Sequence, residues 1–404
     1  MGSRFAMKNY VAICLLLAGV AASESCQNTV GRNNTTSDYD HAKAYYDSLE
    51  FHREAILSSS ETKKMVSGLE TFYRHDLGSR FNGAMLVARK GVVIFEKYQG
   101  YANFSTKTPI DRNTTFQLAS TSKPFTAMAV LYLQQKGRLH IDDPIQKYFP
   151  KFPYPGVTIK TLLNHRSGLP NYLYFCDGDP QLKGTLMTNQ ELIKMMEKNH
   201  PRRAYPPDTH YNYCNTNYAV LGALIEKITG EKLGDYLQKI FFKPLGMTHT
   251  YVFNPRTDNI GADQAITYDA RTRPIANQCF DGVVGDKNVY STVEDLLKWD
   301  QALYNGRLFT KATLREAFTP YSNEHPGIKN YGLGWHLLVY PDSSEVVYHN
   351  GWWHGNTSVF YRFIDDSTTL IILSNRFNKM VYHVQPVWKT LHEATYALDD
   401  NGEG

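Results

Sequence analysis

Phe116-Gln117-Leu118-Ala119-Ser120-Thr121-Ser122-Lys123-Pro124-Phe125 is the stretch on which the reading of this chain turns. Proline is tolerated in a helix only near its start, where backbone N–H groups have no intrahelical partner, so Pro124 places Ser120 at or near a helix N-terminus. Beyond it Phe125, Met128, Ala129 and Tyr132 recur at helical spacing, and Gly137 is placed to end the helix. Positions i and i+3 share a helical face, which brings the Lys123 amine towards the Ser120 hydroxyl. Serine is a weak nucleophile at neutral pH and needs a base beside it. A lysine serves when burial and nearby positive charge depress its pKa. The helix start also offers backbone N–H groups where an oxyanion would form. Taken alone, a serine three residues before a lysine recurs by chance and equally describes a capped helix with a solvated lysine.

Two further elements lie downstream. Tyr213-Cys214-Asn215 precedes a second helix from about Thr216, with Leu221, Leu224, Ile225 and Ile228 on one face and Gly230 at its end. The phenol can exchange a proton with Ser120, and the Asn215 amide can hydrogen-bond a substrate carbonyl. His349-Asn350-Gly351 ends a late strand, where a glycine lets backbone come close to a ligand. Each has a plainer reading, Tyr213 as a packed aromatic and His349 as a satisfied strand residue. Three such elements in this order are far less a product of chance. Cys214 reads as a small buried side chain rather than a redox group. His165 reads as a hydrogen-bonding loop residue, and Trp352 and Trp353 either narrow the cleft or simply pack.

Working outward, the apolar runs Ala84 to Ala88 and Val92 to Tyr98, joined through Arg89-Lys90-Gly91, predict a β-hairpin. Strand patterns return only late, at Glu345 to Tyr348, Thr357 to Ile364 and Thr369 to Ser374, followed by a helix over Val384 to Ala397. Strands at both ends with helices between them predict an α+β fold: one antiparallel sheet built from both chain ends, flanked by helices, with an inserted mainly helical subdomain. The expected catalytic domain is a single unit over residues 41–404, its α/β part about 41–124 and 325–404 and its helical part about 125–324.

The chain has 404 residues, 42% of them hydrophobic, enough for a substantial core. With 43 Lys and Arg against 39 Asp and Glu, a formal charge of +4 and no polybasic block, a nucleic-acid partner is not indicated. Arg4 and Lys8, the apolar run Tyr10 to Ala22 and the small residues up to Ser23 predict a signal peptide over 1–25, hence export to a periplasmic or extracellular location. The run is shorter than the roughly 20 residues a membrane helix needs. Residues 26–40 read as a flexible leader, and Cys26 leaves open a lipid anchor, the single route to a membrane. Cys26, Cys176, Cys214 and Cys279 form no disulfide framework, although export would permit one bridge. No C-x-x-C or H-E-x-x-H occurs, so neither a metal nor a cofactor is expected.

The three motifs resemble those of the serine β-lactamase and penicillin-binding superfamily, in particular the class C branch with its D-alanyl-D-alanine carboxypeptidase, D-aminopeptidase and esterase relatives. Further segments are similar to that family: Phe116 to Ala119, Asp142-Asp143-Pro144, Leu162 to Pro170, Pro244 to Met247, Ser291-Thr292 with Asp295, Leu296 and Trp299, and Tyr331 to Trp335. The likeness runs roughly from Gly83 to Asn375. It implies an acyl-enzyme mechanism in which Ser120 attacks a carbonyl while Lys123 and Tyr213 move the proton. Backbone N–H groups of Ser120 and Trp352 would form the oxyanion hole, and Asn215, His349, Asn350, Gly351 and Trp352 would contact substrate. Which of Lys123 and Tyr213 is the base stays open at this point. Class C β-lactamases usually carry Lys-Thr-Gly or Lys-Ser-Gly where this chain has His349-Asn350-Gly351, a histidine whose charge would vary around neutral pH. That departure weakens the case for efficient β-lactam hydrolysis. The implied substrates are peptide, amide or ester bonds, foremost D-amino-acid peptides or β-lactam-related compounds, with β-lactams also as covalent ligands. A carboxylesterase acting on small acyl esters and a penicillin-binding sensor without turnover are the alternatives.

Overall fold

A computed structural model of the chain describes residues 53–176, 182 and 184–391. The expected signal, leader and Cys26 anchor lie outside the described residues, as does the end of the expected terminal helix beyond Leu391. The N-terminal hairpin consists of β1 (Gly83–Arg89) and β2 (Val92–Gln99). The late strands are β3 (Lys329–Tyr331), β4 (His336–Val339), β5 (Glu345–Trp353), β6 (Asn356–Phe363) and β7 (Thr368–Ser374). They form one seven-stranded sheet in the order β2-β1-β7-β6-β5-β4-β3. Pairing of β1 with β7, from Gly83 opposite Ser374 to Arg89 opposite Thr368, joins the two ends of the chain. The architecture is thus the α+β fold with an antiparallel sheet from both chain ends that the sequence predicts.

Both faces of this sheet are covered, which is why its central strands read as continuous apolar runs. On one side Met85, Val87, Val359 and Ile372 meet α1 (Ser60–Phe72) and the terminal helix. On the other, Leu86, Phe360, Ile371 and Leu373 belong to the larger core built around α2 (Lys123–Gln135). Ten of the thirteen residues of α2 are buried, so it is a central helix and not an amphipathic surface one. It packs against α3 (Asn215–Thr229), which ends on Gly230 in the left-handed conformation. Helix α4 (Val293–Ala302) lies on β1 and β7.

The sequence shows no strand signal between Tyr98 and Tyr331, yet a small sheet forms there from Phe116–Gln117, Val289–Ser291 and Tyr251–Val252. Segments of two or three residues are too short to carry a period. Their effect is nevertheless specific, because the Phe116–Gln117 pairing lays the approach to Ser120 alongside residues 289–291. Among the described residues no helix is long and apolar enough to cross a membrane. Cys176 and Cys214 are buried and Cys279 is partly buried.

A buried ion pair ties sheet to helix. Arg362 on β6 donates from Nε to Asp300 Oδ1 of α4 at 2.6 Å, and Thr369 Oγ1 donates to Asp300 Oδ2 at 2.7 Å. Both charged side chains are almost wholly without exposed surface. Removing one partner strands the other charge in the core, so Asp300→Ala is expected to lower stability by about 3–5 kcal/mol. Urea denaturation measures this, and a loss below about 1 kcal/mol, the value typical of exposed pairs, would contradict it.

Candidate active site

The turn Ala119–Ser122 leads directly into α2 and presents Ser120 at the helix start. Ala119 sits at φ 49°, in the left-handed region, which costs a non-glycine residue about 1–2 kcal/mol. Hydrogen bonds on every side hold it there. Ser358 Oγ donates to the Leu118 carbonyl at 2.7 Å and lies 2.8 Å from Thr121 Oγ1. Ser122 Oγ accepts from the Val289 amide at 3.0 Å.

Lys123 has no exposed surface. Its Nζ donates to Ser120 Oγ at 2.9 Å and to the Asp286 carbonyl at 3.0 Å. It also lies over the rings of Tyr213, at 4.9 Å, and Tyr218, at 5.8 Å. Burial pulls its pKa down to about 7; the Asp286 carboxylate opposes this, and the Lys287 ammonium reinforces it. An amine close to half neutral at pH 7 can accept the serine proton.

The Tyr213 hydroxyl is buried and has no hydrogen-bond partner of standard geometry among the described residues. Burial raises its pKa, against a smaller opposite effect of the neighbouring Ser120 hydroxyl, so it stays a phenol. His165, itself at φ 57°, packs its ring 4.3 Å from that of Tyr213. Its Nδ1 accepts from the Cys214 amide at 3.2 Å and from Asn217 Nδ2 at 2.9 Å, which fixes the backbone between Tyr213 and Asn215. His165 is therefore a positioning residue, as its loop context predicts. Cys214 is buried, with Sγ near the Leu169 carbonyl at 3.4 Å, and burial pushes its thiol pKa up. Asn215 opens α3, half-buried, two residues from Tyr213.

On β5 the side chains alternate between the two faces of the sheet. His349 faces the Lys123 side and is fully buried; its Nδ1–H donates to the Asn350 carbonyl at 2.7 Å, and its Nε2 accepts from Tyr331 Oη at 3.3 Å. Burial, followed by the nearby His336 and Lys123, holds its pKa well below the ordinary histidine value. The expectation of a charge that varies around neutral pH is thus corrected: His349 is neutral and offers no cation to a substrate carboxylate. Asn350 is also corrected. It turns to the opposite face, where Nδ2 donates to Tyr361 Oη at 3.1 Å, so its side chain does not join the Ser120 cluster.

Gly351 is where β5 comes closest to the serine. A Cβ there would collide with the Leu118 carbonyl and the Ser358 hydroxyl and lie 3.0 Å from the Ser120 amide nitrogen. Trp352 is 58% exposed and packs at the rim, its ring 5.3 Å from that of Phe377. Trp353 is held by a 2.6 Å hydrogen bond from Nε1 to Asp281 Oδ1.

Several contributors escape a reading of the motifs. His336 stacks beside Tyr213 at 6.0 Å and reaches His349 at 4.9 Å, and Tyr331 bonds His349. With Tyr211, Ile328 and Tyr348 they wall a cavity of about 620 Å³ on the Tyr213 side. Tyr331 lies in one of the recurring segments, but its position in the sequence says nothing of its reach. Asp286 acts through its carbonyl, which no side-chain pattern reports.

Comparison with known proteins identifies the family. The family model described as Beta-lactamase matches residues 69–391. Penicillin-binding protein 4* of Bacillus subtilis (strain 168) is 35% identical over 312 residues, 74% of this chain and 68% of that protein. The D-aminopeptidase of Brucella anthropi is 28% identical over 282 residues, 67% of this chain and 52% of that protein. The crystal structure of penicillin binding protein from Bacillus halodurans is similar in fold, with a TM-score of 0.70 at 22% identity, covering 82% of this chain and 99% of that one.

The contact at Gly351 makes a specific demand. Gly351→Ala must push β5 away from Ser120, and a displacement near 1 Å at a reacting centre costs on the order of 100-fold in rate. Turnover of a nitrophenyl ester by the folded variant measures this, and a wild-type rate would contradict the close approach.

Proposed function

The chain belongs to the β-lactamase family and is a serine hydrolase of peptide or amide bonds, and from that premise we propose an exported D-amino-acid amidase or peptidase that works through an acyl-enzyme on Ser120. The observation that carries the proposal is the 2.9 Å hydrogen bond between the buried Lys123 amine and the Ser120 hydroxyl. Neutral Lys123 takes the serine proton as Oγ attacks the carbonyl carbon. Tyr213, kept a phenol by burial, gives its proton to the departing nitrogen and is resupplied by Lys123. Backbone N–H groups of Ser120 and Trp352 receive the oxyanion, a role consistent with the packing of Gly351 on the Ser120 amide. The Asn215 amide holds the acyl part. Water then attacks the ester with Lys123 again as base.

Neutral His349 argues against a substrate that must be anchored by its carboxylate at the third motif, as the β-lactam reading would require. Similarity to a D-aminopeptidase supports D-amino-acid amides and short D-peptides as the substrate class. The charged start and apolar run of residues 4–22 support export, with residues 41–404 as one catalytic domain.

Steady-state turnover of a D-amino-acid nitroanilide, a D-Ala-D-Ala peptide, a nitrophenyl ester and a chromogenic cephalosporin tests the reading. The nitroanilide is expected to lead, and the D-Ala-D-Ala peptide and the cephalosporin, both of which carry a carboxylate, to trail, with Ser120→Ala lowering every rate by at least about 10⁴-fold. A cephalosporin preference would overturn the substrate class, and an active Ser120→Ala would overturn the nucleophile. Because Lys123 must be neutral to act, kcat/KM should rise with pH through a midpoint of about 7. A profile flat between about pH 5 and 8 would exclude Lys123 as the base.

A further inference from the structure

We propose that the buried Asp286–Lys287 pair, clasped by Tyr172, is a charge-balanced positioning device that holds Lys123 by a backbone carbonyl while keeping it available as a neutral base. The inference rests on the assignment of Lys123 as base.

Asp286 and Lys287 are neighbours between Gly285 and Asn288, yet they are only 2% and 3% exposed. Burying two charges is costly, and a hydrophobic pair would pack there at least as well. Their bonding is specific. Tyr172 Oη donates to Asp286 Oδ2 at 2.8 Å and accepts from Lys287 Nζ at 2.5 Å. Lys287 Nζ lies 3.4 Å from Asp286 Oδ1 and 5.0 Å from the centre of the Trp353 ring on β5. The pair therefore docks on the same strand that carries His349 and Gly351.

The main chain of Asp286 provides the second acceptor of Lys123, at 3.0 Å. Placing that carbonyl brings the Asp286 carboxylate close to Lys123, and an unbalanced carboxylate would favour the ammonium form, which cannot accept the Ser120 proton. Lys287 supplies the balancing charge. The other titratable groups facing Lys123 come from four parts of the fold. They are His165 on its loop, Tyr213 and Cys214 ahead of α3 with Tyr218 on that helix, His336 on β4, and His349 on β5. Burial keeps the three histidines uncharged. It likewise keeps the phenols and the thiol protonated. Among the described residues this leaves Asp286 and Lys287 as the charged side chains acting on Lys123, and they act in opposite directions.

The test is the pH dependence of kcat/KM for a D-amino-acid nitroanilide in four proteins: wild type, Lys287→Met, Asp286→Asn and the double variant. Lys287→Met should move the acid limb to higher pH by about one unit, seen as a roughly fivefold loss at pH 7 that is recovered at alkaline pH. Asp286→Asn should move the limb to lower pH, and the double variant should bring it back near the wild-type position. A role confined to packing would lower kcat with no displacement of the limb. That outcome, or a shift of both single variants in one direction, overturns the proposal. Should Lys287→Met fail to fold, Asp286→Asn against the double variant poses the same question. A wild-type profile flat between about pH 5 and 8 would instead remove the underlying assignment of Lys123 as base, so the two failures are told apart.

Discussion

A lysine amine with no exposed surface is tolerated only where its surroundings supply hydrogen bonds and decide its charge, and Lys123 places that demand on several separate parts of the chain. The turn before α2 provides Ser120 Oγ and residue 286 provides a carbonyl. The segment ahead of α3 provides a ring, and β4 and β5 provide neutral histidines. Each of these is costly in isolation. A left-handed Ala119, a left-handed His165, a buried Tyr213 hydroxyl and a buried ion pair beside the base are tolerated together because the fold overdetermines the region.

The fold makes that possible by joining its ends. Residues 83–89 and 368–374 pair strand to strand, and the resulting sheet presents the end of β5 to the helical part at the point where α2 begins. The catalytic groups then come from elements whose spacing is set by cores on both faces of the sheet, not by loops. The Ser120–Lys123 contact is buried on the lysine side, while Trp352 is exposed at the end of β5.

The overall architecture was legible because long strands buried on both faces leave continuous apolar runs, as at residues 84–88 and 357–374. The meeting of Ser120 with Lys123 was legible because positions i and i+3 share a helical face, and Tyr213 lies beside them. What escaped the reading depends on direction and depth. Asn350 and His349 are adjacent in the sequence, and only the pleat decides that they face opposite sides of the sheet. His349 has the ordinary histidine pKa on paper, and only complete burial makes it neutral. The pair Asp286–Lys287 drew no reading from the sequence, because its burial depends on Tyr172, far away in the chain, closing over it. A backbone carbonyl used as an acceptor leaves no trace in composition at all.

The central claim is that Lys123 is an uncharged amine near neutral pH, and its titration can be observed without reference to any substrate. In protein labelled with ¹³C at lysine Cε, the resonance missing from a Lys123→Met variant identifies the residue. Its midpoint should lie at about 7. A midpoint near the unperturbed lysine value of about 10.4 would contradict the account, because an ammonium beside Ser120 cannot take its proton.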